Sequence, residues 1–162
     1  MAILLRSLLL LVPSLLALGA FAASGEVQVI DPWVQEAPPN AKVLAAYLEI
    51  NNSGAKTQVV TAVSSAAFER VEIHRTIADR NMARMERLKE LTILPNTAIY
   101  LKPGGVHFML IGARKRFQAG DSVPISLTLK GGSTVMVSAK VRAAKPGERL
   151  MDDHAKHENH AH

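Results

Sequence analysis

Two short segments put soft metal donors close together. "VEIHRTIADRNMARMERL" carries His74, Met82 and Met85, and "VHFML" repeats the pairing at His107 and Met109. None of the 162 residues is cysteine, so any soft donor has to be an imidazole or a thioether. Thioether ligands select Cu(I), whereas Zn or Fe(II) recruits carboxylate or thiolate. Two neutral imidazoles with two neutral thioethers leave a bound Cu(I) at a net charge of +1. That charge is tolerated at a shallow, partly desolvated position better than a double one. Nothing in such a donor set forces a tight geometry, so the ion can be loaded and released.

Methionine is ordinarily core filler, and Met136, flanked by valines in "STVMVSAKV", is expected in the core. A lone strand histidine is most simply a hydrogen-bonded surface residue. The case for a site therefore rests on the combination. Alternate residues of a strand share a face, about 7 Å apart along the backbone, so His107 and Met109 can reach one ion. Met85 stands beside Arg84, Glu86 and Arg87, a poor setting for a core residue. His74 is predicted near the end of one strand and Met85 near the start of the next. Between them lies the ten-residue excursion "RTIADRNMAR", a loop that brings both ligands to one edge. Asp79 and Met82 are read as residues of that loop, with Met82 mobile rather than a ligand.

The absence of cysteine excludes a cysteine nucleophile, a thiolate zinc site, a redox pair and a blue-copper centre, which requires a Cys ligand. It also excludes a disulfide framework, so the fold must stand on packing. No G-x-S-x-G nucleophile elbow occurs. A copper enzyme that cleaves polysaccharides oxidatively needs an N-terminal histidine, and the predicted mature start is Ala23 or Ser24. The expectation is a protein that is not an enzyme. The formal charge of +5 is scattered, with only "ARKR" at 113–116 forming a cluster. Aromatic content of 4% is too low for a base-stacking platform, so no nucleic-acid partner is expected.

Three regions follow from composition. Residues 1–23 read as a secretory signal peptide: Arg6, an apolar run from Leu8 to Leu18, and small residues around Ala20-Phe21-Ala22. No cysteine follows that run to accept a lipid, and no later stretch is long and apolar enough to cross a membrane. Residues 24–143 read as one domain of strands at roughly 8–12-residue spacing. The runs are 26–35, 43–54, 56–65, 68–77, 84–93, 98–105, 106–113 and a final pair joined through Gly131-Gly132, a strong hairpin signal. An antiparallel β-sandwich or barrel is the expected architecture. Residues 144–162 read as a flexible polar tail, in which His154, His157, His160 and His162 stand with Asp152 and Asp153. Such His-rich tracts bind borderline ions, Cu(II) among them.

The spacing of His74, Met85, His107 and Met109 resembles the signature of the periplasmic copper chaperones of the PCuAC family. "VEIHRT", "IYLKPGGVHFMLIG" and "GDSVPISLTLKGGSTVMVSAKV" are similar to further segments of that family, and the likeness covers most of residues 26–143. The resemblance implies an all-β, cupredoxin-like Greek-key β-sandwich. It implies Cu(I) on His74, Met85, His107 and Met109, and delivery of copper to an acceptor, cytochrome c oxidase or its assembly factors, in the periplasm. Some family members carry a His-rich extension that takes Cu(II). One departure is local: "ADRNMARM" is Arg-rich where the family has a Gly and a hydrophobic residue before its methionine pair. The alternative reading is a non-catalytic structural or adhesion module with incidental metal affinity.

Overall fold

Alternation of side chains decides where each strand faces. In "SVPISLTL", Val123, Ile125, Leu127 and Leu129 are buried while the residues between them are exposed or half-buried, the period of two that a sheet with one covered face demands. The computed structural model describes residues 26–79 and 82–144. The predicted signal peptide and His154, His157, His160 and His162 of the predicted tail lie outside these described residues.

Ten strands are present: β1 (Val27–Gln35), β2 (Val43–Asn52), β3 (Gln58–Ser64), β4 (Phe68–Asp79), β5 (Met82–Leu88), β6 (Leu91–Ile93), β7 (Thr97–Leu101), β8 (Val106–Ala113), β9 (Ser122–Leu129) and β10 (Thr134–Arg142). No helix occurs among the described residues. Hydrogen bonding runs β5-β4-β8-β2-β1-β10-β9-β3-β6, with β7 joined to β2. The sheet folds over one core, in which Ile73, Phe108, Leu110 and Ile50 meet Val60, Val123, Ile125 and Leu127. The architecture is the cupredoxin-like all-β sandwich expected. One pairing departs from the antiparallel expectation, because β1 and β10 run parallel. A parallel pair needs a long connection between its members, and here nearly the whole domain supplies it.

Three local expectations are corrected. The excursion after His74 is not a loop: β4 continues to Asp79 and β5 starts at Met82, the two paired residue by residue from Ile73↔Leu88 to Asp79↔Met82. Asp79 and Met82 are therefore strand residues of a hairpin arm. The run 84–93 is two strands, because β5 stays paired with β4 while Leu91 and Ile93 turn into the core and pair with β3. Met136 is 80% exposed, not core. Its flanking valines, Val135 and Val137, pack against the core from the opposite face of β10, so a residue between two inward valines has to point out.

Asn52 ties the end of β2 to β6. Fully buried, it donates from Nδ2 toward the carbonyls of Lys56 (2.8 Å), Ile93 (3.2 Å) and Leu94 (3.1 Å), and its Oδ1 accepts from Gly54 N (3.1 Å). Asn52→Ala leaves these backbone groups without their partner, and unsatisfied buried groups cost about 1–3 kcal/mol each. The expected loss is on the order of 3 kcal/mol, read as a lowered midpoint in urea unfolding.

β5 is a sheet edge. Arg84, Glu86 and Arg87 are exposed along it, and charges of this kind keep an open edge from pairing with other chains. The edge can stay accessible without becoming sticky.

Candidate metal centre

On β8 the alternation sends Phe108 and Leu110 into the core and puts His107 and Met109 on the other face. β4 pairs with β8 so that His74 lies directly across from His107 and Glu72 across from Met109. β5 pairs with β4 so that Met85 lies across from Thr76. His74 is thus the hub: Met85 is its diagonal neighbour on one side and Met109 on the other. Diagonal neighbours on one face have Cβ atoms about 7–8 Å apart, within reach of long side chains. The four predicted ligands, His74, Met85, His107 and Met109, come from three adjacent strands and share one face.

The two imidazoles are close. Their ring centroids are 6.1 Å apart, about 1 Å wider than the roughly 5 Å of two rings sharing a tetrahedral ion at metal–nitrogen distances of about 2.0 Å, so a small inward turn of the rings brings both onto one ion. His107 is 6% exposed, and its Nδ1–H donates to the Gly105 carbonyl at 3.1 Å. The same carbonyl accepts the Thr76 backbone N–H at 3.1 Å. The turn before β8, Pro103-Gly104-Gly105, therefore fixes both strands of the pair, and Gly104 has the positive φ of 74° that such a turn requires. His74 Nε2 lies 2.9 Å from Glu72 Oε2. Its Nδ1 is buried without a hydrogen-bond partner, the only such side-chain nitrogen or oxygen among the described residues. An orphaned buried acceptor costs about 1–3 kcal/mol, which an arriving cation would recover.

Met85 is 40% exposed, Met109 only half-buried. The set thus grades from a covered imidazole to an open thioether at the sheet edge. No three His, Asp or Glu side chains converge among the described residues. With two imidazoles and two thioethers as the donors on this face, the set favours a soft ion over a hard one.

Sequence reasoning passed over three neighbours. Glu72 accepts from Arg70 Nε at 3.2 Å and faces Arg87 Nη1 at 3.5 Å. The hydrogen bond from His74 chiefly, with Arg87 and Arg70 adding to it, holds its carboxyl below the usual carboxylate range against the opposing effect of burial. Its signal was available, since a residue two before a strand histidine shares that histidine's face. Tyr47 is buried beside His107, with ring centroids 6.3 Å apart, and Trp33 packs on Tyr47 at 4.6 Å. Trp33 reaches Tyr47 because β1 shifts register between Ile30 and Trp33, where Asp31 takes a positive φ of 48°. Bulges of this kind re-aim a side chain. Arg142 then caps the row, pairing with Asp31 and lying 5.4 Å over the Trp33 ring. A single Asp-Pro between strand residues gave no hint of this.

Comparison with known proteins bears on the family and the fold. A family model described as LpqE-like, putative lipoprotein LpqE-like, matches residues 27–141. The putative lipoprotein Lxx21020 of Leifsonia xyli subsp. xyli is 30% identical over 117 residues, which are 72% of this chain and 69% of that protein. The uncharacterized protein RP573 of Rickettsia prowazekii is 27% identical over 135 residues, 79% of this chain and 73% of its own length. Among solved structures, the copper-bound PCuAC domain from PmoF2 superposes with a TM-score of 0.64 at 23% identity, covering 74% of this chain and 95% of that one. Cu(I)-bound DR1885 from Deinococcus radiodurans superposes with a TM-score of 0.61 at 27% identity, covering 78% and 85%. The PCuAC-like fold is shared with these two solved structures, both of which hold copper.

Proposed function

The chain belongs to the LpqE-like family of putative lipoproteins, and from that footing we propose that it is a copper chaperone, holding one Cu(I) on His74, Met85, His107 and Met109. One observation carries the reading: His74 and His107 are paired across β4 and β8, His74 Nδ1 is buried without a partner, and Met85 and Met109 are the diagonal neighbours of His74 in the register. The ion is cargo. Release runs by ligand exchange, beginning at Met85, the most exposed donor on the edge strand. An incoming thiolate or imidazole of the acceptor takes that position, and the remaining neutral donors follow. No bond in a substrate is made or broken, so the protein acts as a carrier and not as an enzyme.

The fold neighbours, one solved with Cu(I), support copper as the cargo. The resemblance in ligand spacing supports an exported, periplasmic carrier whose acceptor belongs to cytochrome c oxidase or its assembly. His154, His157, His160 and His162 are proposed as a secondary Cu(II) site, in keeping with their imidazole-rich composition.

The test is a titration of the mature chain with Cu(I) against a competing chelator. The wild type binds one tight equivalent. Met109→Leu conserves volume and so leaves the fold intact, yet it removes one donor; its affinity falls by at least about tenfold, or 1.4 kcal/mol. A wild type with no tight equivalent returns the protein to the structural or adhesive reading.

A further inference from the structure

The two nitrogens of His74 sit in opposite circumstances. Nε2 faces Glu72 Oε2 at 2.9 Å, while Nδ1 is buried and meets no partner. Glu72 is itself held from the far side, because Arg70 and Arg87 both approach Oε1. That leaves Oε2 for the imidazole. An ionised carboxylate only accepts hydrogen bonds, so the proton of a neutral His74 belongs on Nε2. The Nδ1 lone pair is then the one the ring can offer. At His107 the arrangement is reversed, since Nδ1–H donates to the Gly105 carbonyl and the lone pair falls on Nε2.

We infer that Glu72 is a positioning residue: its carboxylate locks His74 in the Nε2–H tautomer and presents Nδ1 to the soft ion, opposite the Nε2 of His107. The centre is thereby asymmetric, with one imidazole bound through each kind of nitrogen. The lock itself does not depend on copper, whereas the destination of the Nδ1 lone pair rests on the chaperone reading. A carboxylate behind a ligating imidazole fixes its orientation and raises its basicity, and losing such a partner costs about 10–100-fold in metal affinity. Glu72 lies across from Met109 in the register, so the positioning carboxylate stands beside the strand that carries two of the proposed donors.

Long-range proton–nitrogen correlation NMR on the full mature chain decides the matter, with the His74 ring assigned by its absence from His74→Gln. In the metal-free wild type, Nε2 is expected to carry the proton and Nδ1 to show the shift of a bare acceptor. One equivalent of Cu(I), a diamagnetic ion, then moves Nδ1 of His74 and Nε2 of His107. In Glu72→Leu the metal-free ring populates both tautomers, and affinity falls about 10–100-fold. Glu72→Gln, which keeps an acceptor oxygen, recovers part of both. A proton on Nδ1 in the metal-free wild type, or a Cu(I)-induced shift at Nε2 of His74, overturns the inference. Should Cu(I) move no ring nitrogen while the metal-free tautomer is Nε2–H, the lock stands and the chaperone reading falls.

Discussion

His107→Leu is expected to lower Cu(I) affinity on the order of a thousandfold, about 4 kcal/mol, while the domain stays folded. Two physical facts separate those outcomes. His107 pairs directly with His74, so its loss removes one of the two nitrogen donors from the centre of the set. Leucine is apolar and of similar volume, at a position 6% exposed, and the Gly105 carbonyl it abandons still accepts the Thr76 N–H. The backbone acceptor is therefore not stranded. Chelator competition measures the first effect and a circular-dichroism melt the second. A variant that keeps wild-type affinity removes His107 from the site, and one that fails to fold shows that its role is structural.

Phe108→Ala should do the converse, damaging the fold first and copper binding as a result. Phe108 is fully buried between strands β4 and β2, across from Ile73 and Ala46. Truncating a core phenylalanine costs about 3–5 kcal/mol, a large share of the roughly 5–15 kcal/mol by which domains are stable. For a domain of this size the melting temperature should fall by about 10–20 °C. The alternation of β8 uses Phe108 and Leu110 as the anchors that put His107 and Met109 on the other face, so copper affinity weakens along with stability. A melting point within a few degrees of the wild type would show that the β8 register does not depend on this side chain. Met109→Leu is the control, because there copper affinity falls with stability unchanged.

The ladder that aligns the donors was legible only in part. His107 and Met109 could be placed on one face because the strand "VHFMLIG" alternates cleanly, and Met85 could be set outside the core because charges surround it. The register could not be read. His74 lies across from His107, and not one residue to either side, because the Gly105 carbonyl takes both the Thr76 N–H and the His107 ring, a contact that ties Thr76 to a turn far along the chain. The hairpin arm around Asp79 and Met82 reads as a loop because Ala, Asp and Asn are poor strand formers. The cross-strand pairing of β4 with β5 overrides that local preference. Met136 points outward because the parity set by inward-facing Val135 and Val137 outweighs the hydrophobicity of its neighbours. Glu72 stood inside a quoted segment, yet its role emerges only when Arg70 and Arg87 are seen to converge on the same carboxylate. The row from Tyr47 through Trp33 to Arg142 depends on a bulge in β1 and on the parallel pairing of β1 with β10, both long-range features.

On the proposed reading, two imidazoles and two thioethers grip one monovalent copper ion at the edge of the sheet. Copper K-edge X-ray absorption on the mature chain loaded with one equivalent of Cu(I) tests it most directly. Two sulfur scatterers at about 2.3 Å and two nitrogen scatterers at about 2.0 Å are expected, with one sulfur lost in Met109→Leu. A spectrum built from nitrogen and oxygen alone would contradict the reading.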